Sequence, residues 1–209
     1  AKENATKAAS KTKEKSPDSK RTAAPRRGKL IQPGQPVSEE NMLDFSERPP
    51  LVLGITIDQM RMDYLYRYWD HFGMDGFKRI MQNGMICADH HFGYAPTYTG
   101  PGHASIFTGT TPRFHGVISN YWYDRKAAET VYCAADPSVQ TVGLDDNSIK
   151  AGQMSPHRMH ASTLGDELKL STDLKAKVYG ISLKDRGAIL PAGHLADGAF
   201  WFYGKDQGK

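Results

Sequence analysis

Residues 51–58 read LVLGITID, and this run decides how the rest of the chain is read. Between Leu51 and Ile57 only Gly54 and Thr56 interrupt the aliphatic residues. The run has strand length and lacks the alternation of a half-wetted sheet. It therefore predicts a strand buried on both faces, as in a parallel sheet covered by helices. Asp58 stands at its C-terminal end. A carboxylate buried there must be paired, cap a helix or bind a metal. Two readings of Asp58 follow: an N-cap for a helix beginning near Arg61, or a ligand to a hard or borderline divalent cation.

Downstream, helical and strand patterns alternate. MDYLYRYWDHFGMDGFKRIMQNG (62–84) predicts one or two short helices, the second near 75–83 with Gly84 as its cap. MICADHHFGY (85–94) predicts a second strand, and a helix follows over 102–108. NYWYD (120–124) and TVYCA (130–134) predict short strands with aromatic packing, and 134–157 is polar and turn-rich. MHASTLGDELKLST (159–172) predicts a helix with one apolar face. AKVYGISL (176–183) and GAFWFY (198–203) complete the set as strands. This order predicts an α/β fold with a mostly parallel central sheet flanked by helices. Its ligand crevice is expected outside the C-terminal strand ends, where Asp58, Thr99, Lys184 and Arg186 all fall.

Upstream lies a different kind of chain. Residues 1–48 predict a basic, Pro-containing disordered tail and linker, and 49–209 a folded domain. The net charge of +4 over 209 residues resides in that tail. The first 30 residues hold ten Lys/Arg and three acids, leaving the remainder at −3, so no nucleic-acid-binding domain is implied. The tail is read as a solvated linker, with a weak contact to phosphate groups or a membrane surface as the sharper alternative. No apolar run approaches the roughly 20 residues of a membrane span. Cys87 and Cys133 are the only cysteines and lack C-x-x-C spacing; a disulfide and two thiols both remain open. No signal peptide is visible and the chain does not begin with Met, so a removed leader and a fragment are both consistent.

Five residues carry candidate chemistry. APTYTGPGH (95–103) is by itself a turn before a helix, but it also sets Thr99 where a helix N-terminus and a metal would activate its hydroxyl. His103, in the first helical turn, reads as structural. Asn120 has an amide that donates to a phosphoryl oxygen as oxyanion-hole donors do, although Asn is equally at home in a turn. Lys184 and Arg186 follow a strand at i and i+2, an arrangement that suits a phosphate as well as an exposed surface. A carboxylate, a hydroxyl, an amide and two cations at one apex describe phosphoryl transfer at a metal site.

Several longer blocks carry a resemblance. GITIDQMRMDYLYRYW, GFKRIMQNGM, YAPTYTGPGHASIFTGTTPRFHGVISNYWYD, VYCAADPSVQTVG, GQMSPHRM and ISLKDRGAILPAGHLADGAFWF occur in that order over about 51–204. They resemble the phosphate-insensitive bacterial alkaline phosphatases. These are periplasmic phosphomonoesterases of the alkaline phosphatase superfamily, related to the nucleotide pyrophosphatase/phosphodiesterases. The resemblance implies that Asp58 and Thr99 are zinc ligands, and that Thr99 is the nucleophile of a phosphothreonine intermediate. It implies that Asn120, Lys184 and Arg186 bind the phosphoryl oxygens, the Lys/Arg pair marking the monoesterase branch. It implies two Zn2+ per complete site, small phosphate monoesters as partners and a periplasmic or secreted location; oligomeric state is left open. The family's remaining ligands come from later segments, and His71, His90, His91, His103, His115, His157, His160 and His194 match none of them. The fold is thus expected to be incomplete at the C-terminus, and these 209 residues alone are expected to lack turnover. A phosphodiesterase of the same superfamily and a non-catalytic partial scaffold are the alternatives.

Overall fold

The computed structural model of the protein describes residues 49–87, 89–143 and 150–204. The expected tail over 1–48 lies outside the described residues. Two units separate along the chain, Ala1–Gly54 and Ile55–Lys209. In the first, the described residues 49–54 hold no helix or strand. The second begins with α1 (Asp63–Arg67), a 3-10 turn (Trp69–His71), α2 (Phe77–Asn83), α3 (Thr99–Thr108) and α4 (Pro112–His115). It continues with β1 (Tyr121–Asp124), β2 (Glu129–Tyr132), a 3-10 turn (Lys150–Gly152), α5 (Leu164–Ser171), β3 (Tyr179–Ser182), α6 (Asp185–Ala192) and β4 (Gly198–Trp201).

β1 and β2 form an antiparallel pair with Tyr121 opposite Tyr132. β3 and β4 pair in parallel, Tyr179 opposite Gly198, with α6 as the crossover. The parallel pairing expected from the strand–helix–strand order is found in this unit. α6 packs against α3, β3 and β4. The core gathers Ala104, Val117, Cys133, Met159, Ile189 and Leu190, with Trp122 and Trp201 packed against it. Cys133 is buried and Cys87 exposed, both as free thiols, so the pairing left open above is not formed.

Two expected strands are absent. Residues 51–57 form none, and Leu51, Leu53 and Ile55 are 76%, 73% and 71% exposed. A strand persists only where neighbours complete its backbone hydrogen bonds. The described sheets are β1–β2 and β3–β4, and residues 51–57 belong to neither. The described residues 85–87 and 89–94 also form no strand, and Met85 is 85% exposed. Asp58 is consequently exposed rather than buried at a strand end, and it caps no helix, since α1 has Met62 at its N-cap. Gly84 does follow α2, but with φ −103° it ends the helix in extended backbone rather than the left-handed conformation.

The start of α5 shows how local sequence fixes structure. Thr163 Oγ1 accepts from the Asp166 backbone N at 3.1 Å, and Asp166 Oδ2 accepts from the Thr163 N at 2.8 Å, a reciprocal capping box. Asp166 Oδ1 also accepts from the Leu195 N at 2.7 Å, tying α5 to the segment after α6. Gly193, at φ +85°, lies against this box; a Cβ there would collide with Thr163 Oγ1 and Asp166 Oδ2. Thr163→Ala is expected to cost about 1 kcal/mol in urea unfolding. An unchanged midpoint would show that the box contributes nothing.

His115 is fully buried. Its Nδ1 accepts from the Val117 N at 3.2 Å, so the proton sits on Nε2, which meets Ser105 Oγ at 2.9 Å. Burial, opposed by a backbone hydrogen bond, holds this imidazole below its usual 6.5. The unfolded chain therefore binds the proton first, and the stability contributed by the neutral ring is lost as pH falls below about 6.5. Unfolding midpoints measured from pH 7.5 down to 5 are expected to fall more steeply in the native chain than in His115→Gln. Parallel slopes would exclude His115 as the source.

Candidate active site

The site grows from the first turn of α3. Tyr98 is the N-cap in extended backbone (φ −65°, ψ 167°), and Thr99 is the first helical residue. Gly100 through Ser105 are buried, most of them with small side chains. Thr99 Oγ1 donates to Asp58 Oδ2 at 3.0 Å, joining residues 41 positions apart. Asp58 lies in a tight turn closed by Met60 N to Ile57 O at 3.4 Å, with Gln59 left-handed at φ +60°.

The Gly100 N–H donates to Asn120 Oδ1 at 2.7 Å. This satisfies one of the orphan donors of the helix end. With Oδ1 engaged, the amide has its NH2 group to offer. A Cβ at residue 100 would stand 3.0 Å from Asn120 Oδ1 and 3.2 Å from Cys133 Sγ, so any larger residue would crowd this approach. Cys133 donates its backbone N–H to Asn120 O at 2.9 Å. Burial pushes the Cys133 thiol up to about 12, so it packs as a neutral group. His103 places Nδ1 2.9 Å from Thr99 O and is buried, in keeping with its structural reading.

The cationic side rests on α6. Lys184 is its exposed N-cap and donates its backbone N–H to Ser182 Oγ at 3.3 Å. Arg186 Nη1 donates to Tyr132 Oη at 2.8 Å, and Tyr132 Oη donates to Asp185 Oδ1. Asp185 Oδ1 also accepts from the Arg186 backbone N at 2.6 Å. Burial, and then the bond to Asp185, push the Tyr132 phenol above its usual range. Burial works against the Arg186 charge, but the Tyr132 hydrogen bond and nearby Asp185 outweigh it and raise the pKa. The structure thus joins Asp58 to Thr99 and Gly100 to Asn120 directly. Arg186 is joined through Tyr132, the neighbour of Cys133. The sequence reading missed Gly100, Tyr132, Cys133 and Asp185; Tyr132 and Arg186 are 54 residues apart, a separation with no local signal.

Asp58 Oδ2 and Thr99 Oγ1 are oxygen donors suited in kind to a divalent cation. A catalytic zinc takes about three protein ligands. Among the described residues no group of three or more His, Cys, Asp or Glu is placed to hold a metal, so these residues alone do not complete a zinc site. Among them, too, no helix is long and apolar enough to cross a membrane.

The type I phosphodiesterase / nucleotide pyrophosphatase family profile matches residues 52–201, and the chain belongs to that family. Alkaline phosphatase PafA of Elizabethkingia meningoseptica is 50% identical over 155 residues, covering 74% of this chain and 28% of that protein. Alkaline phosphatase PhoV of Synechococcus elongatus is 47% identical over 155 residues, with the same two coverages. The crystal structure of wild-type PafA matches with a TM-score of 0.67 at 50% identity, over 70% of this chain and 28% of that one. A PafA variant with Thr→Ser, Asn→Ala, Lys→Ala and Arg→Ala exchanges matches with the same TM-score of 0.67, at 47% identity over the same shares. The chain therefore has the α/β fold of the alkaline phosphatases, as the sequence predicts, and spans about 28% of the length of these relatives.

Gly100→Ala is expected to destabilise the chain by about 1–3 kcal/mol, the usual cost of overpacking. Cys133→Ala in that background is expected to restore part of the loss by removing the sulfur. Denaturant titration of the two variants checks this, and absence of any rescue would place the strain elsewhere.

Proposed function

We propose that this chain is the part of a zinc-dependent alkaline phosphatase that presents the nucleophile and the phosphoryl-binding groups. The observation that carries the reading is Thr99, whose hydroxyl opens α3 and lies 3.0 Å from Asp58 Oδ2. The relatives add a second support. In the PafA variant the exchanged Thr and Asn are 21 positions apart, and the exchanged Lys and Arg two apart. Thr99 and Asn120, and Lys184 and Arg186, repeat both intervals.

In this reading Asp58 orients the Thr99 hydroxyl, whose proton passes to water. Thr99 Oγ attacks phosphorus in line, forming the phosphothreonine bond as the bond to the alcohol oxygen breaks. The leaving oxygen gains a proton from water. A water molecule then attacks the same phosphorus, releasing phosphate and restoring the hydroxyl. The positive end of α3 favours the oxyanion at Thr99. Asn120, Lys184 and Arg186 hold the non-bridging oxygens, where charge concentrates. Zinc, when bound, lowers the pKa of the hydroxyl, with Asp58 and Thr99 as its donors from this segment. The substrates are small phosphate monoesters, and the compartment is the periplasm or the cell exterior.

The family description favours a second reading, hydrolysis of a phosphodiester or pyrophosphate. A monoester dianion has one more charged oxygen to hold, and the paired cations Lys184 and Arg186 suit it better. Assays of the complete, metal-loaded protein on p-nitrophenyl phosphate and bis-p-nitrophenyl phosphate separate the two. Thr99→Ala is expected to abolish turnover of both. Arg186→Ala is expected to lower monoester kcat/KM by about 100–1000-fold, the scale of a lost charge-stabilising donor, and to affect the diester far less. Equal losses on both substrates would favour the diesterase.

A further inference from the structure

We infer that Tyr132 is a positioning residue: its phenol, anchored on Asp185, sets which edge of the Arg186 guanidinium meets the phosphoryl group. The inference rests on the reading of Arg186 as a phosphoryl-binding residue. A guanidinium offers two forked edges, Nη1–Nη2 and Nε–Nη2. Tyr132 Oη accepts from Nη1 at 2.8 Å and so occupies the first. The single phenolic proton goes to Asp185 Oδ1, which leaves the oxygen lone pairs for Arg186. Asp185 is fixed in turn by accepting the Arg186 backbone N–H at the start of α6. The Tyr132 ring is held by Tyr121, with centroids 4.7 Å apart, so its hydroxyl has a set position.

The other edge carries the mark of a missing acceptor. Arg186 Nε is buried and has no hydrogen-bond partner among the described residues. A buried donor left unmade is costly, so its persistence beside a phosphoryl site points to an oxygen that arrives with substrate. Nε and Nη2 together match two oxygens of one phosphoryl group. Arg186 therefore grips phosphate side-on, and Tyr132 makes that edge the available one.

The test uses Tyr132→Phe, which keeps the ring stack and deletes the hydroxyl. The complete, metal-loaded protein is assayed for p-nitrophenyl phosphate kcat/KM and for inhibition by inorganic phosphate, in native and Arg186→Ala backgrounds, with melting curves alongside. The expected result is a loss of up to about 100-fold in the native background, as for a misplaced binding group, and no further loss in Arg186→Ala. Phosphate inhibition weakens in parallel. If Tyr132→Phe does not fold, Asp185→Asn keeps the shape while weakening the anchor, and carries the same expectation. Undiminished activity in Tyr132→Phe, or equal losses in both backgrounds, overturns the inference alone. An Arg186→Ala protein with native monoesterase activity overturns the parent reading as well.

Discussion

The first turn of α3 lies so close to Asn120 and Cys133 that a side chain at residue 100 would press on both. Most of the site follows from that approach. It puts the Gly100 N–H onto Asn120 Oδ1 and so decides which half of the amide is spent inside the protein. It sets Thr99 at the mouth of a helix whose end carries partial positive charge. The Cys133 N–H to Asn120 O bond brings the end of the β1–β2 hairpin to the same place. Tyr132 therefore arrives one residue from the contact, within reach of α6. Groups from three distant stretches are aligned by one backbone-to-side-chain approach, with no long loop needed to carry them.

Among the described residues, buried side-chain polar atoms nearly all have a partner, the Nε of Arg158 and of Arg186 excepted, and such satisfied networks favour one packing. Lys169 is 7% exposed and meets Asp197 Oδ2 at 2.8 Å, while Lys177 and the Val178 N–H serve the same carboxylate. The Lys169 hydrogen bond is the largest of the effects holding the Asp197 carboxyl far below the ordinary range. Deleting one member of such a set strands the other, which costs more than replacing both by apolar groups. Asp166, with backbone partners, and His115, with the Val117 N–H and the Ser105 hydroxyl, follow the same rule.

Where the sequence was legible, short-range rules were at work. The strand runs over 176–183 and 198–203 enclose β3 and β4, which pair in parallel as expected, whereas the helix α6 between them and the capping box at Thr163–Asp166 were not read. The hairpin strands were visible in NYWYD and TVYCA for the same reason. LVLGITI and MICADHHFGY misled because hydropathy reports a tendency to be covered without saying what covers it; the ladder partner is a long-range fact. Thr99 was a turn residue until resemblance gave it weight. Tyr132 read only as aromatic packing, because its partner Arg186 lies beyond any window a local pattern spans.

The turn that carries Asp58 has one more consequence. Gln59 sits at φ +60°, a conformation that costs a residue with a Cβ about 1 kcal/mol or more. Glycine would relieve that cost, yet it would also widen the set of shapes open to residues 57–60 and let the carboxylate wander from Thr99. The strained residue thus acts as an entropic brace. The same side chain that makes the turn less comfortable narrows the ensemble in which Asp58 faces the hydroxyl. At residue 59 a cost in backbone strain and a narrower turn fall on the same side chain.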